Sequence, residues 1–183
     1  MTRNHVGSAR AASSVASIPK AESAMAQKEV LLLCGDYMED SEAMVPFQAL
    51  QAYGLAVHAV CPGKNSGDLC RTSVHQRSTH QTYSKTRGHN FKVNFTFDEV
   101  DVKNYDGLVI PGKLISKNEE GNRLVREFWR SDKPVAAVCH VALILAAAGV
   151  LNGRKCTAFP TLGPVLVAAG AHWVEPQTSN NCC

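Results

Sequence analysis

An α/β domain, with a mostly parallel sheet covered by helices on both faces, is the fold this sequence predicts. Two observations carry it. Strand-like segments such as Val30-Leu-Leu-Leu-Cys34 and Gly107-Leu-Val-Ile-Pro111 are uninterrupted apolar runs, and helix-like segments alternate with them. A strand wetted on one side alternates apolar and polar residues, whereas a continuous run is buried on both sides. The length supplies a third observation: 183 residues, 45% of them hydrophobic, fit one domain with a sizeable core and some tail.

The elements follow in order from Lys28. Val30–Cys34 is a short strand ending at Gly35, and Ser41–Tyr53 carries Met44, Phe47, Leu50 and Tyr53 at helical spacing before Gly54 stops it. Ala56–Cys61 is a second strand, closed by Pro62-Gly63. Residues 64–104 are polar and read as an insertion on one edge, with strand-like pieces around Thr79–Ser84 and His89–Phe95. Gly107–Pro111 is the next buried strand. Glu119–Arg130 is a helix with Leu124, Val125 and Phe128 as its apolar stripe. Pro134–Cys139 reads as a strand, 140–148 as a helix, Lys155–Phe159 as a strand, Gly163–Ala169 as a helix and Ala171–Val174 as a strand.

Residues 1–27 differ in kind. Ser, Ala and Gly dominate, Arg3, Arg10 and Lys20 add positive charge, and Glu22 is the sole acid. An organellar transit segment and an unstructured extension upstream of Met25 both fit. The first implies a plastid or mitochondrion, the second the cytoplasm. At the other end, residues 178–183 read as a mobile tail, since Cys182-Cys183 has no ligand set nearby for a metal or redox role.

Composition narrows the function classes. The net charge of +3 arises from 19 basic and 16 acidic residues that are interspersed, so no nucleic-acid partner is expected. No stretch approaches the ~18 apolar residues that span a bilayer, so no membrane partner is expected either. Seven cysteines are odd in number and lack metal spacing, which favours reduced thiols in an intracellular compartment.

In a parallel α/β sheet, sites form at the C-terminal ends of the strands. That rule gathers the loop after Cys34, the turn Pro111-Gly112 and the junction Cys139-His140 on one rim. Cys139 stands where a strand gives way to a helical run, and a helix N-terminus lowers a thiol pKa. A plain core cysteine is the competing reading. The first loop brings four carboxylates, Asp36, Glu39, Asp40 and Glu42, to the same rim. Glu42 falls in the first helical turn, where its direction is fixed, and is the candidate proton acceptor or general acid. The other three read as caps or solvated acids. A phosphoacceptor receiver would need an Asp at the middle strand, where Pro111-Gly112 stands.

The stretches Leu32–Gln51, Tyr105–Gly112, Lys133–His140 and Leu145–Ala158 together resemble the DJ-1/PfpI family, in its plant-type glyoxalase branch. The resemblance spans residues 28–177. It implies a flavodoxin-like three-layer sandwich, here lacking the final strand and helix, and commonly a homodimer. Carried over by position, it puts the nucleophile on Cys139, its neighbour on His140, the glutamate on Glu42, and oxyanion-holding amides near Gly112 and at His140. The implied reaction converts methylglyoxal or glyoxal to the hydroxy acid without metal, nucleotide or other cofactor; deglycation of proteins is also attributed to the family. Its partners are small reactive aldehydes.

A second class stays open: a catalytically impaired or truncated relative in which Cys139 is merely oxidisable. Lys113 in place of a second glycine, a loop shorter than the family's, Val141 after His140, and the ending at Cys183 favour it. The remaining thiols and imidazoles have plain expectations. Cys34, Cys61 and Cys156 are core; Cys70, His75, His80 and His89 belong to the polar insertion; His58 and His172 are partly buried strand residues. His75 and His80 would bind a metal only if a third ligand folded against them.

Overall fold

The computed structural model describes residues 27–75, 85–112 and 118–175. Its centre is a four-stranded parallel sheet of β1 (Glu29–Leu33), β3 (Ala56–Val60), β6 (Gly107–Ile110) and β7 (Val135–Ala137), in the order β3-β1-β6-β7. The two-residue β2 (Met38–Glu39) instead joins β4 (Leu69–His75) and β5 (Lys85–Lys92) in a second sheet, where β4 and β5 are antiparallel. β8 (Lys155–Cys156) and β9 (His172–Trp173) form a small parallel pair.

The apolar run of β1 explains the layering. Leu31 and Leu33 point to one face, where they pack with Leu124, Val125 and Phe128 of α2 (Glu119–Arg130) and Ile144 of α3 (Ala142–Ala147). Leu32 and Cys34 lie in the cluster on the other face, against Met44, Phe47 and Leu50 of α1 (Asp40–Ala52) and Phe91 of β5. Both sets are needed because side chains alternate across a strand. Phe47 meets Phe91 edge-on at 5.2 Å, so the β4–β5 hairpin shares the α1 layer. A satellite cluster under α4 (Gly163–Ala168) holds Leu151, Leu162, Leu166 and Ala171 together.

Phe128 is fully buried where α2 meets the sheet. Phe128→Ala is expected to cost about 3–5 kcal/mol, the usual range for emptying such a site. Chemical denaturation measures it, and a loss near zero would show that α2 is not anchored on the sheet.

Most of the predicted elements form where the sequence placed them, and the differences have local causes. The strands at Pro134–Cys139, Lys155–Phe159 and Ala171–Val174 are shorter than expected. The helix expected over 140–148 begins as a 3-10 turn, Cys139–Val141, and only Ala142–Ala147 is α-helical. β4 was not foreseen. The strand-like piece at Thr79–Ser84, the mobile tail, the N-terminal segment up to residue 26, and Lys113 lie outside the described residues, as does His80.

Cys34 and Cys61 are buried as expected, but Cys70 is also fully buried rather than part of a polar edge. His172 is exposed, against expectation, because β9 lies outside the main sheet. His58 is half-buried, stacked on Phe95 at 4.6 Å with its Nδ1 3.0 Å from the Tyr105 hydroxyl. β7 is the outer strand of the parallel sheet among the described residues, and its Ala136 and Ala137 are exposed. No helix among the described residues is long and apolar enough to cross a membrane.

Candidate active site

Three parallel strands end on one rim, and each delivers one part of the site. β1 leads through residues 34–39 into α1, whose first turn carries Glu42. β6 leads into Pro111-Gly112, and β7 leads through Val138 to Cys139. The ends are held in register by backbone bonds: the Val138 amide donates to the Ile110 carbonyl at 3.2 Å, and the Glu39 amide to the Gly112 carbonyl at 3.2 Å.

Cys139 adopts φ 61°, in the left-handed region that residues with a Cβ seldom occupy. A strand that turns abruptly into a helical segment forces this on the residue at the bend, and such strain is held only where surrounding packing fixes it. Val141 supplies part of that packing. Val141, which the sequence offered as a sign of an impaired relative, turns fully into the core with Ile144.

Gly112 sits at the meeting point of the other two groups. Its amide donates to Glu42 Oε2 at 2.9 Å. A Cβ built on Gly112 would collide with that same oxygen and stand 3.2 Å from the Cys139 Cβ. The Glu42 carboxylate and the Cys139 Cβ therefore both pack against one bare backbone unit of the rim. This amide is directed at Glu42, which makes Gly112 a clamp on the carboxylate.

The thiol contacts both expected partners. Cys139 Sγ lies 3.0 Å from His140 Nδ1 and is hydrogen-bonded to Glu42. The ring of His140 stacks on Phe159, with centroids 5.1 Å apart and planes at 27°. Phe159 was not singled out from the sequence. The only hint was its place just after a strand and before Pro160, which says nothing of which side chain it would meet.

The expected lowering of the thiol pKa is reversed. Burial, then the Glu42 charge, push Cys139 up to about 11, against the opposing hydrogen bond from the His140 backbone amide. The helix behind it explains why the dipole loses: α3 has six residues and is preceded by a 3-10 turn, so few aligned peptides contribute. At neutral pH the proton stays on sulfur.

That arrangement yields a signed expectation for Glu42→Gln. Removing the neighbouring negative charge lowers the Cys139 pKa, so the thiol of the variant alkylates faster than wild type at pH 7 and its rate levels off at lower pH. Iodoacetamide labelling across pH 6–11, read at Cys139 by peptide mapping, measures this. An unchanged profile would mean that Glu42 does not act on the sulfur.

The other acids of the first loop have structural partners. Asp36 accepts from Lys64 Nζ at 3.0 Å and from the Arg71 amide at 2.9 Å. Asp40 accepts from the Thr72 hydroxyl and from the His89 amide, and its carboxylate pairs with His89 Nδ1 at 3.1 Å. It is therefore a tie to the hairpin and not a solvated cap. Glu39 occupies the N-cap of α1 without a side-chain capping bond. Among the described residues no group of three or more His, Cys, Asp or Glu is placed to hold a metal ion.

A flavodoxin-like α/β sandwich with a cysteine on a strained strand-to-helix bend, faced by a glutamate from the loop after the first strand, defines a class of cysteine-elbow proteins. Within it, the chain belongs to the DJ-1/PfpI family, whose family model matches residues 28–182. Protein DJ-1 homolog D of Arabidopsis thaliana is 61% identical over 159 residues, covering 85% of this chain and 41% of its own length. The chain thus spans about two fifths of that plant relative. A deglycase of Pyrococcus horikoshii is 31% identical over 153 residues, covering 81% of this chain and 82% of its own. Among solved structures, DJ-1beta of Drosophila melanogaster superposes with a TM-score of 0.67 at 21% identity, over 83% of this chain and 76% of that one, a likeness of fold.

Proposed function

We propose that this chain is a glutathione-independent glyoxalase, converting methylglyoxal or glyoxal to the corresponding hydroxy acid through Cys139. The observation that carries the reading is the convergence of the Glu42 carboxylate, held by the Gly112 amide, and the His140 ring on the Cys139 thiol.

The geometry suits a reaction in which thiol ionisation is coupled to attack. Because Cys139 keeps its proton at neutral pH, the nucleophile has to be generated in place, and Glu42 is the base in contact with it. Glu42 takes the thiol proton as sulfur bonds to the aldehyde carbon, giving a hemithioacetal. A proton then leaves that carbon and one is delivered to the neighbouring carbonyl carbon, which turns the adduct into the thioester of a 2-hydroxy acid. His140 shuttles the hydroxyl protons between the two oxygens. Water cleaves the thioester, releasing the acid and restoring the thiol. The His140 backbone amide, already directed at the sulfur, is placed to hold charge developing beside it.

The test is conversion of methylglyoxal without glutathione in deuterium oxide, followed by proton NMR. Lactate labelled with deuterium at C2 is expected, because the transferred proton exchanges with solvent on Glu42. Absence of lactate would end the glyoxalase reading. Unlabelled lactate would end the proton-shuttle mechanism.

A second reading, deglycation, is favoured by the archaeal relatives that are named deglycases and that this chain covers over most of their length. The same elbow would then act on carbonyl adducts of thiols and amines. A deglycase consumes a preformed adduct of methylglyoxal with N-acetylcysteine faster than the adduct dissociates; a glyoxalase cannot exceed that dissociation rate.

A further inference from the structure

The antiparallel ribbon concentrates positive charge that the chain as a whole nearly balances. Residues 69–92 contain five Lys or Arg and no acid, whereas the remaining residues hold 14 basic and 16 acidic side chains. The pleat sends that charge outward. Cys70 and Thr72 of β4 are fully buried, so Arg71 and Ser73 take the opposite face, and Arg87 lies directly across from Ser73. The Arg87 guanidinium donates to Asn90 Oδ1 at 2.7 Å, and Asn90 in turn stands opposite Arg71. The two guanidinium groups therefore share one surface. There, Tyr37, Arg71, Ser73, Lys85, Thr86 and Arg87 line a cavity of about 380 Å³.

We propose that this cavity is a binding site for a small phosphate monoester, separate from the Cys139 elbow and independent of the reaction proposed for it.

Like charges on one face of a sheet repel, and a bound dianion removes that cost. The neighbouring carboxylates do not. Asp36 is held by Lys64, whose Nζ lies 3.0 Å from both oxygens, and Asp40 is on the other face, bonded to Thr72 and His89. Glu39 lies opposite Ser73 and supplies one carboxylate against three cations. Phosphate suits this set better than a carboxylate, because its dianion offers three acceptor oxygens and guanidinium groups bind it through paired N–H donors. Tyr37 and Thr86 add hydroxyl groups at the wall.

Tyr37 is an independent sign of a built site. Its backbone stands at φ 62°, in the left-handed region, while its side chain is 49% exposed. Such strain persists only where the surroundings hold it, and it clusters at ligand sites. Here the Ser73 hydroxyl donates to the Tyr37 carbonyl at 2.9 Å, the Tyr37 amide donates to the Arg71 carbonyl, and Arg71 Nη1 reaches the Tyr37 hydroxyl at 3.4 Å. The cationic strand itself holds the aromatic wall. Volume sets the size of the ligand: about 380 Å³ falls at the lower end of the range that small-molecule sites occupy, and a bare ion would not fill it.

The test is an NMR titration of the full, nitrogen-15-labelled chain with glycerol 3-phosphate in about 150 mM sodium chloride, which screens non-specific attraction. Saturable shifts of the Tyr37, Arg71 and Arg87 amides are expected. Glycerol should give none, and inorganic phosphate should bind more weakly. Arg71→Gln and Arg87→Gln should each weaken binding by about fivefold or more, because each removes a charge-assisted donor. Both side chains are exposed, so the fold is retained, and unchanged spectra away from the ribbon verify it. Arg130→Gln, at an exposed position on α2, should leave the affinity as it was. No saturable shift, shifts centred on residues 139–141, equal affinity for inorganic phosphate, full affinity in either ribbon variant, or an equal loss in Arg130→Gln would each overturn the proposal.

Discussion

Cys139→Ser is expected to lower methylglyoxal turnover by about 10³-fold or more, the scale seen when a covalent nucleophile is removed. The substitution changes one atom, and the strained bend at φ 61° is set by the flanking segments, so serine takes the same position. What changes is the chemistry. A carboxylate can take a proton from a thiol at about 11, but a hydroxyl is a far weaker acid, and the Glu42–Oγ contact produces no alkoxide. Circular dichroism and thermal melting, compared with wild type, establish that the variant is folded. Equal rates would place the chemistry elsewhere and remove the enzyme reading altogether.

Gly112→Ala is expected to reduce turnover by about 10²-fold, through position alone. The added methyl would occupy the space of Glu42 Oε2 and press on the Cys139 Cβ at 3.2 Å, so the carboxylate must swing away from both the Gly112 amide and the sulfur. Misplacing a catalytic group by about 1 Å has this scale of cost. The signature is specific: turnover falls, and the thiol becomes easier to ionise as the anion withdraws. Retained turnover would show that the close approach of Glu42 to Gly112 is incidental.

The central sheet was legible because its signals are local. Runs such as Leu31-Leu-Leu33 leave few alternatives to a strand buried on both faces, and the spacing of Leu124, Val125 and Phe128 leaves few alternatives to α2. The rim followed from topology, since parallel strands end on the same side, which places Glu42, Gly112 and Cys139 near one another before any side chain is seen. The resemblance named the same residues.

The readings that failed depend on partners distant in sequence. β4 turns Cys70 and Thr72 inward, and Thr72 is tolerated there because Asp40 and the His89 carbonyl take up its hydroxyl. A buried threonine flanked by Arg71 and Ser73 does not look like core until those partners are known. The thiol pKa went the wrong way for a similar reason. The helix expected to lower it is short, and what raises it, burial first and then the charge of Glu42 from the far end of the sheet's first loop, depends on the assembled rim.

Asp40 gives the hairpin a consequence beyond its own packing. Asp40 and Glu42 share the first turn of α1, and Asp40 is fastened to Thr72 and to His89 on the antiparallel ribbon. The ribbon thereby acts as a jig that sets the pitch and roll of the carboxylate above the sulfur. Evolutionary or engineered edits to this outlying ribbon would retune the reaction centre from a distance, whereas edits that spare Thr72 and His89 leave the alignment of the tool untouched.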